Sequence, residues 1–313
     1  MITVFSVPKA FTGHTALIQH NALASWARLP DCEVLVFGNE TGVAAAARAH
    51  GLRHIPDVAC NEFDTPLLSD LFAQAERISS EPILTYVNAD IVLFEDLPRA
   101  VGLVQHLPRL LLCGRRTNLS VKEPLPFSRD WQAQIRDSAA RTGEVAIPGA
   151  IDYFVFSRGL FDPVPPFAIG RMDWDQWLLY RARSRGAPII DATALVLAVH
   201  QNHGDEYLAR LPRPAVEHEI ARNRWLALFH RLDLRDATHA LTQHGLVPVR
   251  GVAPMRRRLF ALPKYYLPPS LPVRTAYAWW RRRIRGIELV DPDQFGGRPP
   301  AVAEADADQP NIR

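Results

Sequence analysis

The chain has 313 residues, 48% of them apolar and 22% charged, and a formal net charge of +3. These values fit a soluble, enzyme-sized globular protein with one large α/β domain or two small ones. They leave no apolar run long enough to span a bilayer, and the three cysteines, Cys32, Cys60 and Cys113, are too few and too scattered for a disulfide framework.

Residues 2–7 read as a first strand that starts at once, closed by Pro8-Lys9 and a loop over 10–14. A helix follows with Thr15 as its cap; Leu17, Ala24 and Ala27 share one face, while Gln19, Asn21 and Ser25 fall on others. Residues 33–37 form a second strand ending at Gly38-Asn39-Glu40. Thr41 caps an alanine-rich helix that Gly51 stops, and 52–55 form a short third strand. Thr65-Pro66 is a helix start with proline at the first helical position, and Leu67, Leu68, Leu71, Phe72, Ala75 and Ile78 make its apolar stripe. Residues 83–94 are a buried strand broken once by the polar group Asn88-Ala89-Asp90.

This alternation of strand and helix predicts parallel strands with crossover helices in a doubly wound sheet. Ligands of such sheets bind at the carboxyl ends of the strands, where Pro8 to Gly13, Gly38 to Glu40 and Asn88 to Asp90 all fall. No Gly-x-Gly-x-x-Gly or Walker lysine loop is present, which removes the dehydrogenase and P-loop readings. Further on, 110–113 is a strand ending at Arg115-Arg116, either of which could hold phosphate, a helix covers 131–141, and 153–156 is a strand preceded by Asp152. Asp173 caps a helix carrying Trp174, Asp175, Trp177 and Leu178, stopped by Gly186. Residues 195–199 are a last apolar strand running into His200-Gln201-Asn202-His203, and 215–229 a helix with Ile220 and Trp225 among its contacts.

Three polar groups thus recur at element ends: Asn88/Asp90, Asp173/Asp175 and His200/His203. Carboxylate oxygen suits Mg2+ or Mn2+, and Mn2+ also accepts imidazole, so Asp90, His200 and His203 are the candidate metal ligands. An ionised carboxylate at a helix start, Asp175 or Asp173, can take a proton from a hydroxyl within reach. Each has a plainer reading beside it. Asn88 and Asp90 make an Asx turn between two strands, Asp173 is a simple N-cap, His200 bonds to backbone, and Trp174 and Trp177 are core residues.

The layout resembles a nucleotide-sugar-dependent glycosyltransferase of the GT-A fold, over roughly residues 1–230. The residues that carry the resemblance are the loop from Pro8 to Gly13, Asn88-Ala89-Asp90 in place of Asp-x-Asp, Trp174-Asp175 in place of an acidic pair, and His200 or His203 after a late strand. The resemblance implies a doubly wound, mostly parallel mixed sheet with helices on both faces. It also implies a divalent metal, Mn2+ or Mg2+, at Asp90 with His200 or His203, and Asp175, or Asp173 as substitute, as base of an inverting transfer. Donor contacts would come from Pro8, Lys9, Thr12, Gly13, Gly38, Asn39, Glu40, Asp70, Asn88, Ala89, Asp90 and Arg115, and acceptor contacts from Asp152, Trp174 and Trp177. Two departures stand out: Asn88 replaces the first acid, and Trp174 stands where glutamate is usual. The other readings are a sugar nucleotidyltransferase, which would show a glycine-rich loop after the first strand, and a non-catalytic nucleotide-sugar or glycan binding protein.

From 255 the composition changes. Arg256-Arg257-Arg258, Lys264, Arg274 and Arg281-Arg282-Arg283 mix with Tyr265, Tyr266, Trp279 and Trp280, and no acid appears before Glu288. We read 1–250 as the glycosyltransferase-like domain, 251–290 as a basic aromatic extension that suits an anionic membrane surface better than nucleic acid, and 291–313 as a disordered tail. A lipid-linked or glycan acceptor fits such docking. The scattered thiols, and an N-terminus without a basic leader, place the chain in the cytoplasm, peripheral to the inner face of the plasma membrane.

Overall fold

The structure is a computed structural model that describes residues 1–204 and 211–266, with a few positions between 272 and 283. In chain order the elements are β1 (Ile2–Ser6), α1 (Gly13–Trp26), β2 (Cys32–Phe37), α2 (Val43–Ala49), β3 (Arg53–Ile55), α3 (Leu68–Ile78), β4 (Ile83–Val87), β5 (Ile91–Val92), α4 (Asp96–Val104), β6 (Leu111–Cys113) and β7 (Thr117–Leu119). They continue with α5 (Trp131–Thr142), β8 (Glu144–Val145), β9 (Tyr153–Ser157), α6 (Trp174–Ser184), β10 (Ile189–Asp191), β11 (Val199–Gln201), α7 (Arg213–Ala227), β12 (His239–Thr242), β13 (Gly245–Pro248) and α8 (Val252–Tyr266).

A nine-stranded sheet runs β13-β12-β10-β6-β9-β4-β1-β2-β3. Strands β4, β1, β2 and β3 are parallel neighbours, as the alternation predicts. Strand β9 is the exception at the centre: it runs antiparallel to both β4 and β6. The sheet alternates its side chains between two cores. Phe5, Leu35, Phe37 and Tyr86 face one core with α3 and α6. Val4, Val34, Val36 and Val87 face the other with α1, α2 and α4. The expected mixed, mostly parallel sheet covered on both faces is present.

A second sheet, β5-β11-β7-β8, leaves the first at the Asn88 turn. The amide of Ile91 bonds the carbonyl of Asn88 at 3.1 Å, so the backbone at 88–91 is a turn between strands, but not the Asx turn of the plainer reading: the side-chain oxygen of Asn88 accepts from the Tyr86 hydroxyl instead. Strand β5 then pairs antiparallel with β11, placing His200 opposite Ile91, one residue from Asp90. The two strands are short, yet their register brings these distant segments together.

Several expected boundaries move. The cap of α1 is Thr12, not Thr15, and that of α2 is Gly42, not Thr41. Helix α3 begins at Leu68, because Pro66 and Leu67 form bridges to Cys60 and Ala168 before the helix starts. The late strand is β11 at Val199–Gln201 rather than 195–199, and it is not the last, since β12 and β13 follow. Gln19, Asn21 and Ser25 are buried rather than outward, so α1 is enclosed on nearly all sides. Their polar groups are met across the fold: Asn21 donates to Gln201 at 2.8 Å and Ser25 accepts from the amide of Leu93 at 3.2 Å. No described helix is long and apolar enough to cross a membrane. The part of the basic extension beyond 266 and the tail over 291–313 lie outside the described residues, apart from those few positions.

Candidate active site

A cavity of about 430 Å3 opens where β1 and β4 end and β9 begins. Its lining includes Lys9, His14, Thr15 and Gln19 from β1's end and α1; Tyr86, Asn88, Ala89 and Asp90 around the end of β4; His200 and His203 at and after β11; and Arg116, Asp152, the segment 169–172, Trp174 and Asp175.

Asp90, His200 and His203 form one cluster whose ligating atoms all lie within 4.8 Å of one another. His203 Nε2 is 3.0 Å and His200 Nε2 3.7 Å from Asp90 Oδ2. Burial works against the charge of Asp90, but the hydrogen bond from His203 and the fields of His200, His203 and Lys9 outweigh it and hold the carboxyl below its usual range. The same hydrogen bond raises His203, whereas burial lowers His200 towards the neutral imidazole. His203 Nδ1 lies 2.9 Å from the carbonyl of Gly204, which can only accept. That fixes the Nδ1 proton and aims Nε2 at Asp90, the orientation that a ligating histidine takes when its other nitrogen is held. Two buried polar atoms here lack a partner, Asp90 Oδ1 and His200 Nδ1. A carboxylate, two imidazoles and an unmet carboxylate oxygen suit a divalent cation that accepts both oxygen and nitrogen.

Beside the cluster, Asp152 is buried and held through both carboxylate oxygens. Asn88 Nδ2 donates to its Oδ1 at 2.6 Å and Arg116 Nη1 to its Oδ2 at 2.9 Å. The hydroxyl of Tyr86 completes the chain, donating to Asn88 Oδ1 at 3.0 Å. Burial, helped by the charge of Asp90 and opposed by Arg116, pushes the Asp152 carboxyl up. Two residues before Arg116, Gly114 passes so close to the Tyr153 hydroxyl and the backbone of Thr193 that any side chain at 114 would collide.

Asp175 lies in the first turn of α6 on the cavity wall. Burial, aided by the neighbouring charges of Asp152 and Asp173, pushes its carboxyl up to about 7, although backbone amides at the helix start oppose the shift. A group so poised exchanges a proton near neutrality. The loop before α6 is fastened by α7. Arg171 pairs with the fully buried Glu219 at 2.6 Å, and Asn223 bonds both the amide and the carbonyl of Ala168.

The structure thus gathers Lys9, Asn88, Ala89, Asp90, Asp152, Trp174, Asp175, His200 and His203 around one cavity. Other candidates stand elsewhere. Asp173 adopts φ 84 at the start of α6 without capping it through its side chain; it is buried against Arg231 at 2.6 Å and Arg224 at 3.6 Å, which leaves it no route to a substrate proton. Asp70 receives the amide of Ala59 and the side chain of Gln74, and so braces a loop. Arg115 turns its guanidinium to the carbonyls of Val145 and Ala146; Arg116 takes the cavity position instead. Trp177 packs on Phe167 in the core. Pro8, Thr12, Gly13, Gly38, Asn39 and Glu40 do not line the cavity. Sequence reading left out His14, Arg171 and Met172. Their place in the segment Gly170-Arg171-Met172 directly before the Asp173 helix start was the available signal for the latter two.

Neither a family model nor a curated protein matches the chain. Solved structures with a similar chain path include the mannosyltransferase PcManGT from Pyrobaculum calidifontis in complex with GDP-Man and Mn2+, at 16% identity and TM-score 0.46, covering 90% of this chain and 75% of that one. Staphylococcus aureus TarS 1-349 in complex with UDP-GlcNAc shares 15% identity at TM-score 0.44, over 75% and 68%. Glucosyl-3-phosphoglycerate synthase from Mycobacterium tuberculosis, in complex with Mg2+ and UDP, shares 19% at TM-score 0.42, over 71% and 79%.

Proposed function

We propose that this protein is a glycosyltransferase that moves a sugar from a nucleotide-diphosphate donor to a hydroxyl acceptor. The observation that carries the reading is the pairing, in one cavity, of the Asp90-His200-His203 cluster with Asp175, a carboxyl raised to about 7. The cluster has the donor set for Mn2+ or Mg2+, and a divalent cation held there would neutralise charge developing on a departing diphosphate.

The chain's own residues supply the remainder. Lys9, with its backbone clasped at both ends by Gln19 at 2.7 and 2.9 Å, presents a cation to phosphate from a fixed loop. Asp152, held by Asn88 and Arg116, retains lone pairs for sugar hydroxyls. Asp175 accepts the proton of the acceptor hydroxyl as its oxygen attacks the anomeric carbon and the nucleoside diphosphate leaves from the opposite face, an inverting displacement. A glycan or lipid-linked acceptor accords with Met172, which lines the cavity and is 56% exposed.

The test is a thermal-shift screen of nucleotide sugars with and without Mn2+, followed by donor turnover in the presence of a chelator. A donor that raises the melting temperature only with metal, and whose turnover the chelator stops, supports the reading. Binding without turnover across an acceptor panel would make the protein a binding module instead.

A further inference from the structure

Helix α8 is fastened to the domain by its polar side. Arg257 bonds Asp236 at 2.8 and 3.0 Å, Arg258 bonds the carbonyls of Ala237 and Val249, and Ala261 is buried beside them. Residues 257, 258 and 261 share one helical face, so the opposite face carries 252, 255, 256 and 259. That outer face is apolar: Val252 is 78% exposed, Met255 67% and Leu259 64%. The usual arrangement of an amphipathic helix is inverted, with ion pairs inside and a hydrophobic stripe outside.

We propose that this face is a docking surface for an anionic lipid bilayer. Charge selects that occupant. Exposed Arg250 and Arg256 flank the stripe, and the chain carries nine basic residues and no acidic one between 251 and 287. An apolar stripe between cations fits the boundary between acyl chains and anionic headgroups, where burial and electrostatics act together. The arginine run that suggested membrane contact in the sequence therefore has two jobs: Arg257 and Arg258 hold the helix down, and Arg256 faces outward. The inference stands apart from the cavity chemistry, and its test needs neither donor nor metal.

The experiment is flotation of the full-length protein with vesicles of phosphatidylcholine alone and of phosphatidylcholine mixed with phosphatidylglycerol, at low and high salt. Wild type is expected to float with the anionic vesicles and to fall off as salt rises. Met255→Asp with Leu259→Asp removes the stripe at exposed positions and is expected to weaken binding roughly tenfold or more, with an unchanged melting curve. Arg256→Glu should weaken anionic binding alone. Equal flotation of the double variant, or no flotation of wild type, overturns the proposal. So does concentration-dependent dimerisation that the double variant abolishes without any vesicle binding, which would assign the stripe to a second copy of the chain.

Discussion

Asn88 gives its side-chain amide to Asp152 across a 2.6 Å hydrogen bond while Asp90, two residues on, faces His200 and His203. The two positions of the polar break serve different partners. Asn88 is a donor to a carboxylate, and that explains why an acid does not occupy the position: a second carboxylate there would meet Asp152 oxygen to oxygen. Asn88→Asp is therefore expected to give no gain in Mn2+ affinity by calorimetric titration. It should also lower stability by roughly 1–3 kcal/mol in denaturant unfolding at neutral pH, the cost of a buried polar pair set against itself. Tighter Mn2+ binding in the variant would show that 88 is a ligand position.

Asp90→Ala removes the one carboxylate of the cluster and leaves two imidazoles. The backbone carbonyl of Asp90, which holds Gln201, is untouched. We expect metal-dependent donor binding to vanish while circular dichroism stays that of wild type. Wild-type Mn2+ affinity in this variant would end the assignment.

The pH dependence follows from Asp175. Its folded-state carboxyl, raised from 3.8 to about 7, must be ionised to act as base, so the transfer rate should rise with pH through about 7 and then level off. Asp175→Asn should keep donor binding and lose transfer. The stability sign is the reverse of a salt-bridged acid: between pH 3.8 and about 7 the folded state holds the proton more tightly than the unfolded chain, so this group's contribution weakens as pH climbs through that window. The variant should thus melt above wild type at pH 8, with the difference gone at pH 4.

The Arg171–Glu219 pair tests the wall of the cavity. Both side chains are buried, and Asn61 adds a bond to Glu219 at 2.6 Å. Glu219→Ala strands a buried guanidinium and is expected to cost about 3–5 kcal/mol in chemical unfolding. A loss below about 1 kcal/mol would mean that solvent reaches Arg171 freely.

How much of this was legible in the sequence depended on range. Strands β1, β2 and β4 and helix α3 stood out because their apolar spacing is a local signal, complete within ten residues. Strand β10, three residues long, has no room for alternation, and β12 and β13 carry polar residues at a sheet edge. Asp90, His200 and His203 could be named from type and place, since each follows or ends an apolar run. What pairs with what could not. Asn21 meets Gln201 across 180 positions, and of two adjacent arginines Arg116 pairs with Asp152 while Arg115 turns to the carbonyls of Val145 and Ala146. Such pairings are settled by strand register and backbone approach, which one chain's periodicity does not encode.

The reversed direction of β9 has a consequence for how the cavity can vary. Asp90 arrives at the end of a strand and Asp152 at the beginning of its antiparallel neighbour, so the two acids come from separate loops, joined through the bonds of Asn88 to Asp152. An insertion in the stretch between β8 and β9 would reshape the approach to Asp152 and leave the Asp90 turn in register. The Asp152 side of the cavity is thereby free to change its lining while the Asp90 side keeps its form.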